Sequence, residues 1–271
     1  DFKLVLETIW STLRVYDNPQ YKGAQNNGGY PADMDFSGFR AQGHSMVLVW
    51  MLSQILNIRK NIKLEDLVAE HSGYIMSAFT HPYLLITNEY LLHDYSRVPG
   101  FEDYMYTGHS LETQWIVMFE AIRQADRQLF DTCTMLIRRY LDMNWDYIFG
   151  GFGDGHYYVF DGPDRTRTKL YGEKSMWSHT EILLATLHIL EYTGEKWALE
   201  WYERAREYSL KHFDTPCGVW RQAVDRFGND IQRPGIPVKR RDNFHPPRYM
   251  MYNILCLDRM MKNEGKLSTF R

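Results

Sequence analysis

Cysteine is scarce in this chain: Cys133, Cys217 and Cys256 are the only three in 271 residues, far apart and without a Cys-x-x-Cys. That excludes a disulfide frame and a thiolate metal site, and fits a reducing, cytoplasmic setting. There is no block of basic residues, and the formal net charge is −3, which argues against a nucleic-acid partner. No apolar run is long enough to span a bilayer, and no Asn-x-Ser/Thr sequon occurs. The glycine-rich run Gly150–Gly155 lacks the strand–loop–helix order and the Gly-Lys-Ser/Thr of a phosphate cradle, so it reads as a hairpin turn. No His-x-x-x-His, His-Glu-x-x-His or Gly-x-Ser-x-Gly is present, so a zinc centre and a serine nucleophile are both disfavoured. The opening Asp1-Phe2-Lys3-Leu4 shows neither an initiator Met nor a signal-peptide layout, and reads as the middle of a helix.

What the chain does have is a design used four times. Gly43-His44-Ser45, Gly108-His109-Ser110, Ser178-His179-Thr180 and Phe244-His245-Pro246 each open an apolar helix, roughly 65 to 70 residues apart. A period that long, with two helices in each unit, points to repeated helix pairs. Helices are expected over 2–16, 45–58, 64–78, 109–124, 126–144, 177–193, 196–212 and 247–261, from apolar residues at helical spacing. Gly, Asn and Pro make 18–43 a loop, and 80–107 is irregular or weakly extended. Short hairpins are expected around 150–160 and between Cys217 and Gly228. The order is buried helix, polar-faced helix, long loop. If the pairs close side by side, the buried helices line the inside, start at one end, and bring the four histidines to one mouth.

Helix starts expose backbone N–H groups and a positive dipole end, which suits oxygen-rich ligands. At these starts stand His109, Glu112, Lys174, Trp177, His179, Glu181, His245 and Arg248. Glu112 follows His109 by three residues, so it either orients that imidazole or closes a capping box. Glu181 lies beside the apolar run Ile182-Leu183-Leu184, where a carboxylate needs a partner such as Lys174, Arg248 or a sugar. Two carboxylates for acetal cleavage are less evident than histidines. A pair of imidazoles suits moving a proton off a carbon next to a carbonyl and returning it on the other face. The enediolate between those steps calls for cations, and Arg248 and Lys174 are the candidates.

The motifs Gly-His-Ser-Leu-Glu-Thr-Gln-Trp (108–115), Lys-Ser-Met-Trp-Ser-His-Thr-Glu (174–181) and Phe-His-Pro-Pro-Arg (244–248) resemble the N-acylglucosamine 2-epimerase family, in the expected order. The resemblance implies an all-α (α/α)6 toroid with short hairpins in the loops at its mouth. It also implies a cofactor-independent epimerase acting at C2 of N-acetylglucosamine and N-acetylmannosamine through the open-chain sugar. By that likeness His109 and His245 are the acid/base pair and Glu181 the essential carboxylate, with Glu112, Lys174, Trp177, His179 and Arg248 binding substrate. No metal is expected; ATP enters only as an effector known in some members, and a homodimer is the expected assembly. Related isomerases carry a histidine where Val47 aligns. A family ring takes about six helix pairs and this chain accounts for about four, so residues 1–271 read as one toroid domain lacking its N-terminal pairs. An aldose–ketose isomerase, a disaccharide 2-epimerase and a non-catalytic sugar-binding homologue stay open as alternatives.

Overall fold

The computed structural model describes residues 2–23, 30–153, 155–160, 172–216, 218, 220–231 and 242–270. Asp154 and Cys217, at the two expected hairpins, lie outside the described residues, as does part of the 18–43 loop. In chain order the helices are α1 (Phe2–Tyr16), α2 (Gln42–Ile58), α3 (Ile62–Gly73), α4 (Thr107–Gln124), α5 (Arg127–Asn144), α6 (Met176–Thr193), α7 (Lys196–His212) and α8 (His245–Lys262). The strands are β1 (Arg40–Ala41), β2 (Tyr90–Leu91), β3 (Tyr104–Tyr106), β4 (His156–Tyr158), β5 (Glu173–Ser175) and β6 (Ala223–Asp225). The chain divides into two compact units, Asp1–Tyr106 with Tyr158–Phe160, and Thr107–Tyr157 with Asp161–Arg271.

In the first unit α2 packs on α3. Asn61 accepts the Leu64 N–H and starts α3, which continues as a π-helical turn over Tyr74–Phe79 where a longer α-helix was expected. β1 pairs antiparallel with β2, with Arg40 opposite Leu91. An aromatic cluster of Tyr30, Phe36, Tyr90, Tyr104 and Tyr158 forms a core beneath the loops. A cavity of about 430 Å³ opens among Trp10, Tyr16, Arg40, His44, His71 and Tyr95. His44 stacks on Tyr16 there, ring centres 3.9 Å apart.

The second unit is layered. α4, α6 and α8 lie side by side, while α5 covers α4 and α7 covers α6. The difference between the layers is written in the residues. In α6 nearly every side chain from Met176 to Ile189 is buried, as an apolar-all-round helix requires. In α7 only Ala198, Trp201, Ala205, Tyr208 and Ser209 are buried, a single stripe at helical spacing. α5 shows the same stripe through Phe130, Cys133, Ile137, Tyr140 and Asn144, and Asp126 caps it by accepting the Leu129 N–H. Gly194, at φ +67°, ends α6 in the left-handed conformation. β5 pairs with β6, Lys174 opposite Val224, and fixes the chain just before α6. Cys133 and Cys256 are buried free thiols.

Candidate active site

Every residue singled out at the helix starts, His44 apart, belongs to the second unit. Gly108, beside His109, has no Cβ for a steric reason. A Cβ there would sit 2.6 Å from Cη2 of Trp177 and 3.0 Å from the Ser178 Cβ, so the glycine lets the starts of α4 and α6 close on each other. The Trp177 ring in turn lies 5.3 Å from the His245 ring at the start of α8. Three helix starts meet around one indole.

Beneath it sits a charged cluster. One terminal nitrogen of Arg248 donates to Glu112 Oε1 at 2.6 Å and to Glu181 Oε1 at 2.7 Å, and all three side chains are buried. The other Glu181 oxygen accepts the indole N–H of Trp115 at 2.7 Å. The Arg248 guanidinium lies over the rings of Trp115 and Phe244, at 5.1 and 4.4 Å. Burial, added to by the charge of Glu112, pushes the Glu181 carboxyl above the ordinary range; Arg248 and Trp115 oppose that rise only in part. Burial also works against the Arg248 charge, but Glu181 and Glu112 more than offset it and hold its pKa up. A ring nitrogen of His245 lies within 4.8 Å of oxygens from both carboxylates.

His109 is half-buried on α4, and its carbonyl accepts the Thr113 hydroxyl. Three residues before Glu112, it stands on the helix face that carries Glu112 to Arg248. Glu112 is therefore a partner of Arg248, whatever else it does for His109. At His245, Nδ1 lies 2.5 Å from Asp242 Oδ2, a contact the sequence reading missed. An aspartate three residues ahead of a histidine at a helix start is the signal that would have found it.

Two of the expected residues lie behind this cluster. His179 is wholly buried: Nδ1 donates to the Ser175 carbonyl at 2.7 Å, and Nε2 accepts the Phe152 N–H at 2.9 Å. Tyr208 stacks on its ring at 5.0 Å. Burial brings its pKa down to about 3, so the ring is neutral, and both nitrogens are committed to main chain. Lys174 is also wholly buried, its ammonium divided among Asp146 Oδ2 at 3.1 Å, the Arg226 carbonyl at 2.9 Å and the Gly150 carbonyl. It is thus neither the cation beside Glu181 nor a group aimed at an enediolate. It ties the 146–151 hairpin to the turn after β6. Trp145 pairs with Phe152 in that hairpin, and Gly151 (φ +82°) leaves room for Lys174 and Tyr208, which a Cβ would meet at 2.7 and 2.5 Å.

Two groups among the described residues could by spacing hold a metal ion: Glu112, Glu181 and His245, and separately His188, Glu191 and Cys256. In each an arginine already pairs with carboxylate, Arg248 with Glu112 and Glu181 in the first and Arg259 at 2.7 Å from Glu191 in the second. A cation would have to displace it.

The helix pairs define the class first. A crystal structure of D-mannose isomerase superposes with a TM-score of 0.72 at 17% identity, covering 94% of this chain and 64% of that one. The cellobiose 2-epimerase from Bacillus thermoamylovorans gives 0.65 at 13%, covering 82% and 53%. The fold is that of the (α/α)6-barrel epimerases, as the sequence motifs implied. The family follows from the sequence: the model for N-acylglucosamine 2-epimerase (GlcNAc 2-epimerase) matches residues 37–245, and the chain belongs to that family. N-acylglucosamine 2-epimerase of Rattus norvegicus is 29% identical over 148 residues, and that of Homo sapiens 28%. The matched stretch is 52% of this chain and 33% of each of those proteins. No helix among the described residues is long and apolar enough to cross a membrane.

Proposed function

We propose that this chain carries the acid/base site of a sugar 2-epimerase that interconverts N-acetylglucosamine and N-acetylmannosamine in their open-chain forms, without a cofactor. One imidazole, His109 or His245, takes the C2 proton while the other, protonated, delivers one to the opposite face. The enolate formed between the two steps, with its charge on the C1 oxygen, is stabilised by the Arg248 guanidinium. Glu112 and Glu181 hold that guanidinium in place, and Trp177 offers its ring to the sugar. The observation that carries this reading is the buried Glu112–Arg248–Glu181 cluster, with His245 within 4.8 Å of both carboxylates and His109 one turn above Glu112. Such a cluster is expensive to bury and is maintained where three helix starts meet.

Incubation with N-acetylmannosamine in D2O should place deuterium at C2 and yield N-acetylglucosamine. H109A and H245A should each lower exchange by about 100-fold or more, with circular dichroism unchanged. Wild-type exchange in either variant, or a ketose product from the wild-type protein, would overturn the reading.

A further inference from the structure

Asp242 sits at the threshold of α8, and its carboxylate is held from two sides. Oδ1 accepts the backbone N–H groups of Phe244 at 2.8 Å and His245 at 2.9 Å, while Oδ2 meets His245 Nδ1 at 2.5 Å. Pro246 and Pro247 have no N–H to offer in the first helical turn, so the carboxylate takes up the free amides that come before them. Asp242 is mostly buried, and its side chain shares that shelter with the imidazole. Burial alone would raise its pKa, but the amides of His245 and Phe244 together with the His245 ring outweigh burial and keep the carboxyl below its usual range. An ionised carboxylate can only accept, so Nδ1 carries the hydrogen.

We propose that Asp242 is a positioning residue that locks His245 in the Nδ1–H tautomer, leaving Nε2 as the nitrogen that exchanges a proton with the ligand. The lock has competitors to overcome. Carboxylate oxygens of Glu112 and Glu181 lie within 4.8 Å of a ring nitrogen, and either could draw the ring N–H to itself. Trp177 and Phe244, ring centres 5.3 and 5.1 Å away, limit how the ring can tilt but do not choose its tautomer. Only Asp242 touches Nδ1 at hydrogen-bond distance among the described residues. The proton balance is simple. Nε2 takes the substrate proton, the ring becomes an imidazolium, and the Nδ1–H stays with the carboxylate throughout.

The catalytic consequence rests on the epimerase reading; the tautomer does not, so one experiment separates them. In 15N-histidine-labelled protein, two-bond 15N–1H correlations report the tautomer of each neutral ring, with His245 assigned by difference from H245Q. The wild type should show the Nδ1–H pattern at His245 and D242A the Nε2–H pattern. D242S keeps a helix-capping oxygen but is too short to reach the ring. It should retain the wild-type melting temperature to within a few degrees, yet lose the Nδ1–H pattern. For C2 exchange, D242A and D242S should lower kcat about 10- to 100-fold with KM within about twofold, and D242E should restore part of it. A D242S protein with the wild-type tautomer and wild-type kcat would reduce Asp242 to a helix cap and overturn the proposal. An Nε2–H ring in the wild type would do the same. Absence of C2 exchange in the wild type, with the Nδ1–H pattern in place, would instead fail the epimerase reading and leave the lock standing.

Discussion

Arg248 is the cation paired with two carboxylates that have little water around them, so removing it leaves buried charge without a partner. R248M should cost about 3–5 kcal/mol in urea unfolding, and adding E112Q and E181Q to it should recover a large part. No recovery in the triple variant would mean that the cluster contributes through packing instead. Two deeply buried, neutral imidazoles contribute to the response to acid. Burial lowers His179 to about 3 and His188 to about 4, below the unfolded value of about 6.5. Between pH 6.5 and 4 the unfolded chain binds protons at these rings and the folded chain does not, so stability is present above that window and lost as pH falls through it. The slope of unfolding free energy against pH should flatten in H188Q; an unchanged slope would assign the acid response to other groups. At this scale the sequence told which residues gather but not where each side chain points. His179 shares a helix start with Trp177 and Glu181, yet two positions along a helix turn it to the opposite side, against Tyr208 and Phe152. Lys174 stands on β5, where alternate residues face opposite ways, and no pattern in the chain announced which way it faced.

Helices were legible because their apolar spacing is strong. α5 and α7 fall within a residue or so of expectation, and the stripe that gave them away is the stripe that is buried. Thr107 and Met176 begin α4 and α6 slightly earlier than expected, since β3 and β5 run straight into them and leave no loop to mark the start. The π-helical turn at Tyr74–Phe79 has no sequence mark; it shows only once α3 is packed. The junction of α4 and α6 is the element on which the site depends most. G108A should force Trp177 off its seat, cost about 1–3 kcal/mol and lower turnover. In a W177A background the same change should cost much less, because the ring it strikes is gone. Equal costs in the two backgrounds, from thermal unfolding, would refute the packing account.

On the scale of the whole chain, helix pairs recur in both compact units, and the family match covers residues 37–245. The side of α8 away from α6 is unusual for a helix of the inner layer: Met250, Met251, Ile254, Leu255, Leu257 and Met261 are all exposed. Apolar surface so concentrated should bind 1-anilinonaphthalene-8-sulfonate in the native protein. I254E/M261E should lower that fluorescence at unchanged circular dichroism; equal fluorescence would place the dye elsewhere.

At the far end of α6, Glu191 accepts both Arg259 and the Ser268 hydroxyl, and Phe270 lies edge-on against Phe130 and Tyr192. Those few residues past α8 therefore act as a clasp across three helices, one catch a hydroxyl bonded to the carboxylate that Arg259 also holds, the other aromatic. Anyone trimming this stretch to tidy a recombinant product would be unfastening the unit that holds the candidate site.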